Sequence, residues 1–457
     1  MTHSIAKAQQ MIKKVLSHFS DSREAQHYLK RYHADEQKFA VVKVGGGIIA
    51  DELSELTESL AILSQMGLTP IIIHGGGIQI EQAMIEAGIT SVKKDGLRVT
   101  PDSNMQLIEQ VMSEINQSVV DSLAQWLVPA QGFSHGVFAC QLIDQSKYGS
   151  VGEVFSLQLE KVKACLAEGV IPVLSCLGYI LESNQVVNIN ADIATRALVA
   201  AIKPHKTLFV TPTGGLLNGD NQIISAIQLQ HDYDHLMSQP WLHSGMKLKL
   251  QQINSLLEMM DADHSVSITS CQNLVKELFT HKGAGTYISM GETIEVNSDD
   301  EAIDWSQLSA ILERSFGRQL KPVWWQGMAI LNVYLAASGR AAAVVCRGFD
   351  GMPYLDKFAV TPEAQGEGLA ASLWQAIKQD HGSLYWRSRQ GNRINPWYHK
   401  KADFSVKQSS GEWTGFAYGM PVAMATECIT AAFQVDSGWQ PSDGSDGTDL
   451  SQAVQHA

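Results

Sequence analysis

Two glycine turns, each closing a run of buried-strand residues and each opening onto a helical pattern, constrain this chain more than any other feature. Phe39-Ala-Val-Val-Lys-Val44 reads as a buried strand ending at Gly45-Gly46-Gly47, after which Leu53, Leu56, Leu60 and Leu63 recur at helical spacing. Thr69-Pro-Ile-Ile-Ile-His74 is a second strand, followed by Gly75-Gly76-Gly77 and a second helix. Strand, turn and helix repeated in that order predict an α/β domain with a mainly parallel sheet. More buried strands are expected at 170–175, 207–211 and 265–269. A glycine turn between strand and helix lets backbone N–H groups approach phosphate oxygens closely. One such turn is equally a tight connection and nothing more; two, with Lys43 beside the first, point to phosphate chemistry. No G-x-x-x-x-G-K-[ST] run is present, which excludes a P-loop enzyme, and protein-kinase H-R-D and D-F-G signatures are absent too.

At 457 residues the chain is long enough for two or three domains. Its net charge of −13, without a long basic run, argues against nucleic acid as the main partner. No apolar run is long enough to span a membrane, and no signal-peptide core is seen. Six scattered cysteines without a C-x-x-C pair read as reduced thiols, so a cytoplasmic protein is expected. No set of residues with metal-ligand spacing stands out. Residues 1–35 are expected to form a helical segment: Ile5, Ala8, Ile12, Val15 and Phe19 share one face, suited to packing or oligomerisation and less to an import peptide. The polar, acidic stretch 289–302 reads as a boundary. It separates a first domain at 36–290 from a second at 291–435, whose body begins near 303 with a helix and antiparallel strands at 328–336 and 341–347. Residues 436–457, rich in Ser, Gly and Asp and lacking Lys and Arg, are expected to be a disordered tail.

Five motifs in order, Lys43-Val-Gly45-Gly46, His74-Gly75-Gly76-Gly77, Gly96-Leu-Arg98-Val-Thr-Pro101, Asn188-Ile-Asn190-Ala-Asp192 and Gly245-Met-Lys-Leu-Lys249, resemble the amino-acid kinase family, and within it the N-acetylglutamate kinases. The resemblance implies a sandwich domain with a mainly parallel sheet and assigns roles by position. Lys43 and Lys249 stabilise the γ-phosphoryl group in flight, and Asp192 holds both lysines. Gly45, Gly46 and Gly76 form the phosphate-binding turns. Gly75, Arg98, Asn188 and Asn190 bind N-acetylglutamate, with Arg98 forking onto a carboxylate. ATP with Mg is the phosphoryl donor. Taken singly, Lys249 is also an ordinary solvated helix lysine, Asp192 a helix cap and Asn190 a turn residue. One departure stands out: a Thr-Asp-x-x-Gly pattern expected near the nucleotide reads Thr211-Pro212-Thr213-Gly214-Gly215 here, and proline removes a side-chain partner and an N–H donor.

In the second domain a strand at 353–360 leads into Gln365-Gly366-Glu367-Gly368-Leu369-Ala370 and a helix. A dinucleotide fingerprint would need an acidic residue about 20 positions on, and Trp386-Arg-Ser-Arg389-Gln390 stands there instead. The loop resembles the acetyl-CoA loop of GCN5-related acetyltransferases. Leu384-Tyr-Trp-Arg387-Ser-Arg389-Gln-Gly-Asn392-Arg-Ile-Asn395-Pro-Trp-Tyr398 resembles the acetyltransferase domain of vertebrate-type N-acetylglutamate synthases, in which an amino-acid-kinase domain comes first. A mixed α/β acetyltransferase domain is implied. Gln365, Gly366, Gly368 and Ala370 would hold acetyl-CoA, and Lys357, Arg387 and Arg389 the carboxylates of glutamate. Tyr398 would be the acid for the departing thiolate and Asn392 a polarising partner. Tyr398 as a packing aromatic and Arg389 as a surface ion-pair partner are the plainer readings.

Glu277-Leu-Phe-Thr-His-Lys-Gly283-Ala-Gly285-Thr286 resembles the arginine-sensing segment of feedback-inhibited acetylglutamate kinases. It implies arginine as an allosteric effector near Glu277, Gly283 and Gly285; a helix ending in a glycine turn is the alternative. The functional expectation is an arginine-biosynthesis enzyme that acetylates glutamate and phosphorylates the product, acting as a homo-oligomer. The alternatives are a synthase whose kinase fold is an arginine-sensing scaffold, and a ligand-sensing protein without either activity.

Overall fold

The structure, a computed structural model, describes Tyr32 and residues 39–440 except 243, 261–263, 280–283, 366, 367, 393 and 410. Of the expected N-terminal helical segment only Tyr32 falls among the described residues. Of the expected tail only 436–440 do, and these are not disordered: Trp439 is buried and bridges to Leu320, and Asp436 pairs with Lys321. The chain divides into two compact units between Met290 and Gly291.

The first unit is built on an eight-stranded sheet in the order Ala226–Gln228, Thr286–Ser289, Ser265–Thr269, Lys206–Val210, Ala40–Val44, Ile71–His74, Ile171–Ser175, Ala130–Phe133. Every neighbouring pair is parallel except Ser265–Thr269 with Thr286–Ser289. The inner strands are buried along their length, as their unbroken apolar runs require of a sheet covered on both faces. Ala40–Val44 is flanked by Lys206–Val210 and Ile71–His74, with Val44 level with His74. Both glycine turns therefore emerge side by side at the carboxyl ends of adjacent strands, where open α/β sheets gather ligands. Gly75 N–H donates to Val44 O at 3.0 Å and ties the two turns at their base. The first turn is shorter than the glycine run suggests. Gly45 is the N-cap, Gly46–Asp51 is already helical, and the chain restarts as the helix Leu53–Gln65. A separate four-stranded sheet, Val186–Asn188, Leu177–Ile180, Phe138–Leu142, Gly152–Leu157, has no counterpart in the sequence reading.

The second unit carries a seven-stranded sheet in the order Ile294–Asn297, Ile330–Ala336, Ala341–Arg347, Pro353–Val360, Leu384–Arg389, Trp413–Tyr418, Phe404–Lys407. The polar stretch 289–302, read from the sequence as a boundary, also holds the first strand of this sheet: Ile294–Asn297 pairs antiparallel with Ile330–Ala336. An edge strand that shows half its residues to solvent is polar enough to pass for a connection. Pro353–Val360 and Leu384–Arg389 run parallel but pair only at Tyr354↔Tyr385 and Leu355↔Trp386. Beyond that point the two strands part. A bulge lies where they do, since Val344 faces Lys357 while Val345 faces Leu355, leaving Asp356 outside the ladder.

Candidate active sites

In the first unit, Lys43 is the fourth residue of its strand and its side chain is nearly buried. Its Nζ lies 2.6 Å from Asp192 Oδ1, and Lys249 Nζ lies 3.8 Å from the same oxygen. Asp192 sits in the first turn of the helix Ala191–Ile202; Lys249 comes from the helix Ser244–Leu257. Residues 206 positions apart are thus drawn onto one carboxylate oxygen. Phe209, level with Lys43 on the next strand, floors the group: its ring centre is 5.6 Å from Lys43 Nζ and 5.1 Å from Lys249 Nζ. The sequence reading missed Phe209, which looks like one more core aromatic.

One carboxylate cannot serve two buried ammonium groups equally. Burial alone would lower Lys43, but the Asp192 carboxylate outweighs it and holds Lys43 above the ordinary lysine value. Burial also works against ionised Asp192, and the two lysines overcome it to hold the carboxyl below its ordinary range. Lys249 is the loser. Burial first, then repulsion from Lys43, brings it down to about 8. If the charge on Lys249 is needed, kcat/KM for phosphoryl transfer falls as pH rises through about 8. Bound ATP phosphates restore the proton, so the same limb in kcat lies at higher pH. A Lys249→Arg variant that kept activity while losing this limb in a pH–rate profile would confirm the assignment; an unchanged limb would refute it.

The second turn rests on a buried hydrogen-bonded pair that the sequence reading also missed. Asn116 Nδ2 donates to His74 Nε2 at 3.0 Å and to Val173 O at 2.9 Å. His74 Nδ1 is 3.4 Å from Gly75 O. Burial lowers His74 to about 4, so the ring is neutral. With Nε2 accepting, the proton sits on Nδ1, facing the Gly75 carbonyl. Cys176 donates to His74 O at 3.0 Å, and burial pushes its thiol up to about 12, which keeps it from acting as a nucleophile.

Beside the turns opens a groove of about 450 Å³ lined by Gly46, Gly77, Ile78, Glu81, Gln82, Ile85 and Lys93. Arg98, on the short strand Leu97–Arg98, borders it with its guanidinium already engaged: Nη2 donates to Gly77 O and to Glu81 Oε2, each at 2.9 Å, and Nη1 to Ser91. Asn188 Nδ2 donates to Thr100 Oγ1 at 3.2 Å. Asn190 caps the helix Ala191–Ile202, its Oδ1 accepting from Asp192 N–H at 2.9 Å and Ile193 N–H at 3.3 Å. The cap was a possibility the sequence raised for Asp192; Asn190 fills it and leaves Asp192 free to face the lysines. Pro212 is exposed in a turn closed by Gly214 N–H to Thr211 O at 3.1 Å.

Of the arginine-segment residues, Gly283 lies outside the described residues. Glu277 is buried, and its Oε2 accepts from Ala284 N–H at 2.6 Å and Gly285 N–H at 3.1 Å. That carboxylate oxygen serves its own turn. A Cβ on Gly285 would fall 1.9 Å from the backbone oxygen of Ile268, which cannot move without the sheet. Gly285→Ala is expected to destabilise the first unit by roughly 1–3 kcal/mol, read as a lower midpoint in thermal or urea unfolding.

In the second unit, Tyr398 stands in the helix Asn395–Lys401, walled by Phe358, Trp386, Trp397 and Phe416 with ring centres 5.5–6.2 Å away. Burial raises its pKa well above the ordinary phenol value and keeps it protonated. Gly368 takes φ +86° as the N-cap of the helix Leu369–Asp380, a conformation for which glycine is the ready choice. Gln365 immediately precedes the loop, Ala370 lies in the first helical turn, and Gly366 lies outside the described residues. Arg387 and Arg389 point to one face of their strand, with guanidinium carbons 4.2 and 4.9 Å from the Trp413 ring centre. Arg387 Nη2 donates to Val435 O at 2.5 Å, and Arg389 pairs with Glu412. Asn392 Oδ1 accepts from Ile394 N–H at 3.2 Å, so its side chain shapes the turn before the Tyr398 helix.

Lys357 stands apart from the other anchors. Only 4% of its side chain is exposed, it pairs with Asp356, and it lies under the rings of Trp324 and Trp439 at 5.1 and 5.9 Å. The bulge at Asp356 lets two neighbouring side chains meet that regular alternation would send to opposite faces. As placed here, Lys357 is closed off by its own fold.

Two glycine turns facing a Lys–Asp–Lys group define a phosphoryl-transfer domain, and the parted parallel strands with a glycine-capped helix define an acyltransferase domain. The chain belongs to the amino acid kinase family, which it matches over residues 38–270; residues 294–435 match the N-acetyltransferase domain of N-acetylglutamate synthase. It is 39% identical over 406 residues to acetylglutamate kinase of Xanthomonas campestris pv. campestris, covering 88% of this chain and 95% of that one. It is 28% identical over 408 residues to the mitochondrial N-acetylglutamate synthase of Homo sapiens, covering 87% and 72%. The fold is shared with N-acetylglutamate synthase from Neisseria gonorrhoeae, solved in complex with coenzyme A and N-acetylglutamate, at a TM-score of 0.61 and 17% identity over 88% of this chain and 98% of that one. Among the described residues no helix is long and apolar enough to cross a membrane.

Proposed function

We propose that this chain makes N-acetyl-L-glutamate from acetyl-CoA and L-glutamate, then phosphorylates it with ATP to N-acetyl-L-glutamyl 5-phosphate, as two steps of arginine biosynthesis. The observation that carries the kinase half is the convergence of Lys43 and Lys249 on Asp192 beside the paired glycine turns. The side-chain carboxylate of N-acetylglutamate attacks the γ-phosphorus in line; the bond to the bridging oxygen breaks and ADP leaves. Lys43 and Lys249 meet the charge spread over the phosphoryl oxygens, and Gly46 and Gly76 donate backbone N–H groups to it. Arg98, Gly75 and Asn188 bind the acceptor, whose carboxylate takes over donors that Glu81 now occupies on Arg98. Magnesium enters with ATP.

In the second unit the neutral α-amine of glutamate attacks the thioester carbonyl and the C–S bond breaks. Tyr398 gives its proton to the thiolate, and the proton shed by the attacking nitrogen returns to it through solvent. Arg387 and Arg389 anchor the carboxylates. Acetyl-CoA lies with its pyrophosphate at the N-terminus of Leu369–Asp380. A second reading, synthase activity alone with the kinase fold as a sensor, is favoured by Pro212, which leaves one expected nucleotide contact unmade.

Assaying the purified chain for CoA release with glutamate and for ADP release with N-acetylglutamate separates the readings. CoA release without ADP release favours the second, and neither sinks both. Arginine as effector at Glu277 and Gly285 is part of the proposal, as the Neisseria protein was also solved with coenzyme A and L-arginine. Calorimetry showing no heat with arginine, and no change in either rate, would remove it. A homo-oligomer fits the helical spacing of apolar residues in the sequence over 5–19, and a cytoplasmic setting fits six free thiols. Light scattering and fractionation test these.

A further inference from the structure

Gln79 sits in the first turn of the helix Gly77–Glu86, three residues after its N-cap, Gly76. Its side chain reaches back to the other turn, where Nε2 donates to Gly46 O at 2.8 Å. This orientation of the amide is the one its partner allows, since the flipped form would set oxygen against oxygen. Gly46 packs directly on the second turn: a Cβ there would lie 2.6 Å from Gln79 Oε1 and 3.2 Å from Gly77 N. The two turns are therefore joined twice, at the base by Gly75 N–H to Val44 O and at the top by Gln79.

We propose that Gln79 is a positioning residue of phosphoryl transfer, a brace that fixes the spacing of the Gly46 and Gly76 amides. The proposal rests on the kinase reading above. In a trans peptide the C=O and N–H point opposite ways, and the chain has no cis bond among its described residues. Ile48 and Ile49 N–H hold Gly45 O at 3.1 and 3.4 Å, which aims Gly46 N–H out of the helix end. Gln79 holds the next carbonyl, Gly46 O, and locks that turn to the helix whose N-cap is Gly76. Two amides that grip one phosphoryl group from separate turns work only at a fixed separation.

The choice of glutamine argues for function over stability. Its Oε1 is buried and has no hydrogen-bond partner among the described residues. An apolar side chain of similar size would fill the space without leaving an acceptor unpaired. The amide is retained for what its N–H holds.

The test compares Gln79→Leu and Gln79→Glu with the unaltered full chain. Both variants remove the donor. The expected result is a fall of about 10- to 100-fold in kcat for ADP release, with both KM values nearly unchanged. CoA release should be unaltered, and the thermal midpoint of Gln79→Leu should equal or exceed that of the parent. Hydrogen–deuterium exchange should quicken in peptides covering 45–49 and not elsewhere. An unchanged kcat in the leucine variant overturns the brace, as does a loss that comes with a lower midpoint or only as a higher KM. If the parent itself releases no ADP, the kinase reading fails on its own, and unchanged exchange at 45–49 then overturns the brace independently.

Discussion

Asp192→Asn is expected to lower kcat for ADP release by ~10²–10³ or more, the range seen when one preorganised charge-stabilising group is lost, while CoA release is untouched. The amide keeps the shape and removes the charge. Two ammonium groups that now share a carboxylate at 2.6 and 3.8 Å would face each other across a neutral side chain. Lys249, already brought to about 8 by burial and by Lys43, loses the Asp192 attraction that opposes its deprotonation, so its pKa falls further and a larger share of it is neutral at pH 7. One substitution thus removes an orienting group and part of a catalytic charge together. Lowering the pH should recover part of the loss, because protonating Lys249 restores the second charge; a pH–rate profile of the variant checks this. If Asp192→Asn retained the parent's rate, the Lys–Asp–Lys group would be a structural ion pair, and the sensor reading would gain. The fold should persist but weaken, since breaking a buried charge cluster from one side leaves ammonium groups uncompensated.

Much of the first site is legible in the sequence because the chemistry and the fold use the same residues. Glycines that let backbone approach phosphate also end strands. The lysine beside them lies in a strand whose apolar neighbours reveal its burial. What the sequence cannot show is which partner a polar side chain chooses. Asn190, Asn392 and Glu277 all bond their own backbone here, and the same residue types at the same spacings would suit a ligand equally. Lys357 fails as an open anchor because a one-residue bulge changes which side chains meet, and a bulge leaves no mark in residue pattern. Phe209 and Gln79 went unread for the opposite reason. An aromatic in a core strand and a glutamine on a helix are common, and only the register with Lys43 and the reach to Gly46 O give them meaning.

Tyr398→Phe carries the second large effect, a loss of ~10²–10⁴ in kcat for CoA release, the range of a general acid, with ADP release and the KM for glutamate unchanged. The substitution is well suited to its site. Phe358, Trp386, Trp397 and Phe416 surround the ring, so phenylalanine keeps every packing contact and removes only the hydroxyl. A packing aromatic would lose almost nothing under this change, which is how the plain reading is told from the catalytic one. The pH dependence sharpens it. Burial holds the Tyr398 proton well above the ordinary phenol range, so the parent should show no fall in rate from tyrosine ionisation at pH 8 to 10. Over that span the rate should instead rise, as the α-ammonium of glutamate gives up its proton and becomes nucleophilic. Arg387→Ala and Arg389→Ala separate binding from chemistry: each should raise the KM for glutamate and leave the pH profile alone. If the phenylalanine variant kept the parent's rate across this pH range, the thiolate would be taking its proton from water, and the aromatic wall around Tyr398 would be architecture alone.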